Sequence, residues 1–301
     1  MARLNLMKLS NLIAPRTHEG APAKTISAEL RLPRPLFYST ASRIDTLPLP
    51  KTDNREPKTK YMHIVAVIPA RIASTRLPRK ILREIAGRPM LAWVYEAARK
   101  SSALDEVIVA TDSGEIMDVC KKHGFAARMT SPDCKSGTER VYEVSREVKA
   151  DVYINVQGDE PLTRPEQMDQ LVALMRNSEV QVGTLRTPCA DIDIDNPNAV
   201  KCVADANGRA LYFSRATIPF DRDQTGSSRY FKHLGFYAYR KPALEKFMSW
   251  PESSLEQSER LEQLRFLENG IPIHVAETPF DTVGVDTEED LRRVDQILLG
   301  R

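Results

Sequence analysis

The chain has 301 residues, long enough to bury a large core in one big domain or two ordinary ones. Its 43 Lys and Arg against 41 Asp and Glu leave a formal charge of +2, so no global basic field argues for nucleic acid. Cys120, Cys134, Cys189 and Cys202 stand far apart with no C-x-x-C, which speaks against a zinc site or disulfide framework and fits a reducing compartment; no apolar stretch reaches the ~18 residues of a membrane-spanning helix, and the chain reads as soluble.

Residues 1–60 differ from the rest. Up to Arg43 the basic residues are Arg3, Lys8, Arg16, Lys24, Arg31, Arg34 and Arg43, against Glu19 and Glu29 alone, with scattered hydroxyls. That composition suits an organellar import segment. The run Arg34-Pro-Leu-Phe-Tyr-Ser-Thr-Ala looks like the end of a mitochondrial presequence; the plainer alternative is a disordered extension on a cytoplasmic protein. Residues 47–60 read as a linker, which divides the chain into an extension, 1–60, and one folded domain, 61–301.

From 64 to 68 a continuous apolar run ended by Pro69 predicts a buried strand. Met90, Leu91, Val94, Ala97 and Ala98 predict a helix near 89–100. A second strand is expected at 107–110, then a helix over 114–123, with Thr111-Asp112-Ser113 as its cap region and Gly124 as its stop. A strand at 152–156, a helix at 166–175 and a strand at 180–185 follow. Strands alternating with helices imply parallel βαβ units and a sheet covered on both faces. Then the pattern changes: 200–204 and 209–213 flank an Asn-Gly hairpin cue, and 233–239 is strand-like. This antiparallel insert suits a lid, a substrate wall or a dimer surface. Helices are predicted at 242–250 and 258–269, a strand at 273–276, and a last helix at 287–298 whose first turn holds Glu288, Glu289 and Asp290.

The first chemical candidate is the loop after the first strand, Pro69-Ala-Arg-Ile-Ala-Ser-Thr-Arg-Leu-Pro-Arg-Lys80. It gathers Arg71, Arg76, Arg79 and Lys80 with the hydroxyls of Ser74 and Thr75. In a parallel sheet ligands bind at the carboxyl ends of strands, and a triphosphate there needs several charge-assisted hydrogen bonds. That placement favours phosphate binding over a merely solvated basic loop. The loop has neither G-x-G-x-x-G nor G-x-x-x-x-G-K-[ST], so a dinucleotide fold and a P-loop are unsupported.

The second candidate is Asp159, in Gln157-Gly-Asp159-Glu160 at a strand end. A carboxylate there suits Mg²⁺, a hard cation that takes one or two carboxylates plus phosphate oxygens; helix capping is as common a use. Asp286, in Val283-Gly-Val-Asp286, would give a second ligand, or the N-cap of the last helix, or both. Asp191-Ile-Asp193-Ile-Asp195 mimics a metal-binding D-x-D but reads better as a solvated acidic turn.

The segments Ile68–Lys80, Ala110-Thr-Asp112, Ser136-Gly-Thr-Glu-Arg140, Asn155-Val-Gln-Gly-Asp-Glu-Pro161, Asn196-Pro-Asn-Ala-Val-Lys201, Ala210-Leu-Tyr-Phe-Ser-Arg-Ala-Thr-Ile-Pro219, His233-Leu-Gly-Phe-Tyr237, Leu261-Glu-Gln-Leu-Arg265 and Gly284-Val-Asp286 together resemble the 3-deoxy-manno-octulosonate cytidylyltransferase family over about 62–294. The resemblance implies an α/β, Rossmann-like nucleotidyltransferase fold, a homodimer, Mg²⁺, and CTP and a 3-deoxy sugar acid as substrates. It implies Arg71, Ser74, Arg76 and Lys80 for CTP, with Arg71, Lys80 and Asp159 catalytic, and Asp159 and Asp286 for the metal. For the sugar acid it implies Gln157, His233, Tyr237, Glu262 and Gln263, with Arg215 as a weaker candidate. The bland readings stay open: His233 and Tyr237 as a satisfied core pair on one strand face, Glu262 and Gln263 as the solvated side of a helix. One departure stands out. The family pattern Leu-Pro-Gly-Lys-Pro is Leu77-Pro-Arg-Lys-Ile81 here, and losing the glycine restricts φ at position 79. Two rivals keep much of this picture: the same fold acting on another nonulosonic acid, and a nucleotide-binding regulator without turnover.

Overall fold

The computed structural model describes residues 61–74 and 76–300; the import reading of 1–60 lies outside them. The first apolar run forms β1 (Ile64–Ala70), and a short hairpin of β2 (Glu84–Ile85) and β3 (Arg88–Pro89) follows the basic loop. α1 (Met90–Arg99) buries Met90, Leu91, Val94, Tyr95 and Ala98 on one stripe. β4 (Glu106–Thr111) leads into α2 (Gly114–His123), whose bounds match the reading from sequence: the Ser113 side chain accepts from the Ile116 N–H, and Gly124, at φ 71°, closes the helix. β5 (Ala127–Met129) and α3 (Gly137–Glu147) add to the elements read from periodicity. Thr138, Arg140 and Ser145 share the buried stripe of α3 with Val141 and Val144, too polar a face to announce a helix.

β6 (Val152–Asn155), α4 (Pro165–Met175) and β7 (Val182–Pro188) continue the alternation. The acidic run forms one helical turn, α5 (Asp191–Ile194), rather than an irregular turn. The hairpin of β8 (Lys201–Ala204) and β9 (Ala210–Ser214) stands as expected, followed by β10 (Phe231–Tyr239) and α6 (Lys241–Ser249). The single helix expected over 258–269 is two helices, α7 (Ser254–Glu259) and α8 (Leu264–Glu268), because Arg260 adopts φ 56° and breaks the run. β11 (Ile273–Glu277) and α9 (Glu288–Leu298) complete the chain, α9 opening on a capping box between Thr287 and Asp290.

Among the described residues nine strands form one mixed sheet, in the order β11-β7-β10-β6-β1-β4-β5, with β8 beside β10 and β9 beside β8. β5, β4, β1 and β6 run parallel, and β10 is antiparallel between β6 and β7. Helices cover both faces: α1, α2 and α4 bury Leu91, Ile116 and Met168 against one, and α3, α6 and α8 bury Val141, Leu244 and Phe266 against the other. Because both faces are covered, β1 is apolar at nearly every position. A smaller cluster lies at the carboxyl edge, where Leu77 from the basic loop packs with Ile85, Met90, Val285, Leu291 and Val294. Burial of each such side chain stabilises by about 1.5–3 kcal/mol, and here it also pins the loop to the segment before Asp286. No helix among the described residues is long and apolar enough to cross a membrane.

Candidate active site

β1 and β6 are parallel neighbours and end side by side, so the loops leaving them share one edge of the sheet. Gly158 makes their approach possible: a Cβ there would lie 2.9 Å from the Pro69 carbonyl oxygen and 2.9 Å from Ile81 Cδ1. The result is a cleft of about 580 Å³ lined by Arg71, Ser74, Arg76, Lys80, Gln157, Asp159 and Asp286 among others. Arg71, Ser74, Arg76 and Lys80 for the nucleotide and Asp159 and Asp286 for the metal therefore gather in one place. Thr75 lies outside the described residues.

The electrostatics centre on Lys80. Its Nζ donates to Asp159 Oδ2 at 2.6 Å and to Asp286 Oδ1 at 2.8 Å. Burial alone would lower its pKa, but the two carboxylates outweigh burial and raise it, so the ammonium stays charged. Arg76 reaches the other oxygen of Asp286 at 2.9 Å. Two carboxylates that meet on one ammonium can equally meet on one hard cation. Among the described residues no group of three or more His, Cys, Asp or Glu side chains stands ready to cage a metal. That donor set, two carboxylates and an open cleft, fits a cation that completes its shell with water and phosphate oxygens, as Mg²⁺ does.

Arg79, where the family pattern has glycine, takes φ 56° and ψ 30°, the left-handed region that glycine occupies without strain. Its guanidinium pairs with Glu115 on α2, away from the two aspartates.

α3 contributes what periodicity did not announce. Lys135, Ser136 and Gly137 line the cleft, so its positive end adds to the anion-attracting side. Ser136 caps the helix, and Glu139 Oε2 accepts from the Lys135 N–H at 2.7 Å. The spacing Ser136-x-x-Glu139 is a capping signature and was the available signal. Arg140 also lines the cleft, but its guanidinium is committed to Asp112 at 2.7 Å and Thr130 at 2.6 Å.

The residues implied for a sugar acid fall into two groups beside this cleft. Gln157 donates from Nε2 to the Gly235 carbonyl oxygen at 2.8 Å, within a bulge of β10 between Leu234 and Tyr237. Despite the bulge His233 and Tyr237 share a face, their rings 5.3 Å apart, and Thr184 Oγ1 lies 3.1 Å from His233 Nε2. Burial lowers the His233 pKa to about 3, which keeps the ring neutral. The second group is Glu262 and Gln263. They sit on the connection from α7 to α8, not on the solvated side of a helix, and Gln263 is 5% exposed. Glu262 Oε1 accepts from Thr138 Oγ1 at 2.6 Å, and burial raises its pKa. Gln263 Nε2 and Asn155 Oδ1 are buried with no hydrogen-bond partner among the described residues, unusual for native interiors and suited to a polar ligand nearby. Arg215 does not join them. Its guanidinium donates to the carbonyls of Glu259 at 2.7 Å and Pro197 at 2.9 Å, so it braces the insert.

The profile of the family described as Cytidylyltransferase matches residues 65–275. A 3-deoxy-manno-octulosonate cytidylyltransferase of Koribacter versatilis is 64% identical over 259 residues, 86% of this chain and 98% of that one. One of Acidobacterium capsulatum is 59% identical over 240 residues, covering 80% and 98%. Among solved structures, a CMP:2-keto-3-deoxy-manno-octonic acid synthetase complexed with CTP superposes with a TM-score of 0.76 at 42% identity, covering 79% of this chain and 99% of that one.

Proposed function

The chain belongs to the 3-deoxy-manno-octulosonate cytidylyltransferase family, and on that premise we propose that it transfers CMP from CTP to the anomeric hydroxyl of 3-deoxy-manno-octulosonate, releasing pyrophosphate. The observation that carries this reading is the convergence of Asp159, Asp286, Lys80 and Arg76 in one cleft at the strand ends.

The sugar hydroxyl oxygen attacks the α-phosphorus, the bond from phosphorus to the pyrophosphate oxygen breaks, and the hydroxyl proton passes to water in the open cleft. Little covalent chemistry falls to the protein, so positioning and charge neutralisation dominate. Arg71, Arg76, Lys80 and the Ser74 hydroxyl bind the triphosphate, and Lys80 and Arg71 take up charge as pyrophosphate departs. Asp159 and Asp286 would hold Mg²⁺, which when bound would supply Lewis-acid polarisation of the α-phosphate and a lower pKa for the attacking hydroxyl. Gln157, neutral His233, Tyr237, Glu262 and Gln263 orient the sugar acid through hydrogen bonds. Arg215 acts behind them, as a brace for the insert.

Homodimer formation belongs to the same reading. Leu211 and Phe220, 63% and 82% exposed, are apolar side chains within and after the insert hairpin, and light scattering of the purified protein tests whether two chains associate. Mitochondrial import by residues 1–60 is tested by fusing them to a fluorescent protein.

Pyrophosphate release from CTP, measured with 3-deoxy-manno-octulosonate, with a nonulosonic acid such as sialic acid and with no acceptor, decides between the readings. Release with the octulosonate alone supports the proposal. Release with the nonulosonic acid alone moves the acceptor, and CTP binding without release with any acid favours a regulator.

A further inference from the structure

Lys232 lies on β10 beside His233, and its ammonium gathers groups from separate parts of the chain. Nζ stands 3.0 Å from Asp281 Oδ1, 3.4 Å from Asp193 Oδ2 on α5, and 3.4 Å from the Thr282 carbonyl oxygen. Lys232 is 17% exposed and Asp193 20%, so water screens the contact between them little, whereas Asp281 is 44% exposed. Asp281 and Thr282 lie within the irregular stretch between β11 and α9 that carries Asp286. Glu160, the residue after Asp159, is within reach of the charges of Lys232 and Asp281, and its Oε2 is buried with no hydrogen-bond partner among the described residues.

Acidic side chains thus gather from three segments: Asp159 and Glu160 on one turn, Asp193 on α5, and Asp281 and Asp286 on the stretch before α9. Lys80 and Arg76 serve the cleft side of that crowd. Lys232 serves the far side. The stretch leading to Asp286 has other fastenings: the Thr278 N–H donates to the Arg186 carbonyl at 2.8 Å, Gln167 Nε2 to the Phe280 carbonyl at 3.2 Å, and the Val285 N–H to the Asp159 carbonyl at 2.9 Å, while Val283 and Val285 pack in the cluster with Leu77. Lys232 adds an ion pair to these fastenings, at Asp281. Without it Asp193 and Asp281 would lose the cation they share.

We infer that Lys232 is a positioning residue: it ties Asp281 and Thr282 to β10 and α5, and so helps fix where the stretch delivers Asp286 relative to Asp159. The inference rests on the reading of Asp159 and Asp286 as the metal pair, and it gives the acidic run at 191–195 a use as the far leg of this anchor.

The test measures Mn²⁺ binding to the CTP-loaded protein by electron paramagnetic resonance, beside CTP titration in EDTA. Lys232→Met is expected to weaken Mn²⁺ binding about tenfold, the scale on which groups supporting a metal ligand act. CTP affinity in EDTA is expected to stay unchanged, and Lys232→Arg to restore most of the loss. Asp281→Asn cuts the same anchor at a half-exposed carboxylate and is expected to weaken Mn²⁺ in the same direction, even if Lys232→Met fails to fold. Mn²⁺ affinity equal to the parent's in both Lys232→Met and Asp281→Asn, or a parallel fall in metal-free CTP binding, overturns the inference. A parent protein that binds no Mn²⁺ in the presence of CTP overturns instead the metal reading beneath it.

Discussion

The carboxylates of Asp159 and Asp286 meet on a single ammonium, that of Lys80, at 2.6 and 2.8 Å. Asp159 follows β6 and Asp286 immediately precedes α9, and the backbone bond from the Val285 N–H to the Asp159 carbonyl, with Leu77 and Val285 in one apolar cluster, brings them together. Asp159→Asn keeps the shape and removes the charge. Turnover is expected to fall by two to three orders of magnitude, about the range for one preorganised electrostatic group, while the melting temperature stays near the parent's. A rate within a few-fold of the parent would remove Asp159 from the chemistry.

Arg79 bears the cost of a left-handed backbone that glycine would adopt freely. Such a conformation costs a non-glycine residue about 1–3 kcal/mol, and the exposed pair with Glu115 returns about 1 kcal/mol or less. Arg79→Gly is therefore expected to be neutral or stabilising by about 1 kcal/mol, after the chain entropy of glycine is counted. Arg79→Val, β-branched at the same φ, should be destabilising by more than 1 kcal/mol on about the same scale. Urea denaturation of the two variants checks the order; Val as stable as Gly would mean the loop is free to relax.

How much of this was legible in the sequence depended on whether the signal was local. The bounds of α2 were readable because Ser113 and Gly124 mark both ends. The break at Arg260 was not, since no glycine or proline announces it and the φ there is imposed by the packing of α7 against α8. The cluster of cations at 71–80 stood out by composition, whereas Asp159 and Asp286, each ambiguous alone, were paired only through the family resemblance, and in the fold the Val285 N–H to Asp159 carbonyl bond joins them. Glu262 and Gln263 took their places through the same unannounced break, which turns them from a helix surface toward Thr138.

His233 makes stability depend on pH in a defined direction. Burial lowers its folded pKa to about 3, below the ordinary 6.5 of the unfolded chain. Between those values the unfolded state binds the extra proton, so the stabilisation is present above pH 6.5 and is lost as pH falls toward 3. The loss is at most about 1.4 kcal/mol per pH unit. His233→Gln keeps a hydrogen-bonding group for Thr184 and removes the titration. The parent's advantage over this variant at pH 7.5 should shrink by about 2 kcal/mol at pH 5. Parallel stability curves for the two proteins would show that His233 titrates freely.

Gly235 controls Gln157 by what it lacks. A Cβ at this position would fall 2.9 Å from Gln157 Cγ and 3.3 Å from Glu160 Oε1. Gln157 Cγ lies in the middle of its side chain, so it cannot yield without swinging Nε2 away from the Gly235 carbonyl oxygen that holds it at 2.8 Å. One such hydrogen bond is worth about 1 kcal/mol, and the displaced amide would no longer meet the sugar acid. Gly235→Ala is thus expected to raise the KM for the sugar acid about tenfold, a loss near 1.4 kcal/mol. The KM for CTP should hold, because Arg71, Ser74 and Lys80 stand on the loop after β1 and not on β10. Steady-state kinetics with each substrate varied in turn separates the outcomes. A rise in both constants would mean that the bulge supports the whole cleft, and no rise in either would take Gln157 out of the acceptor site.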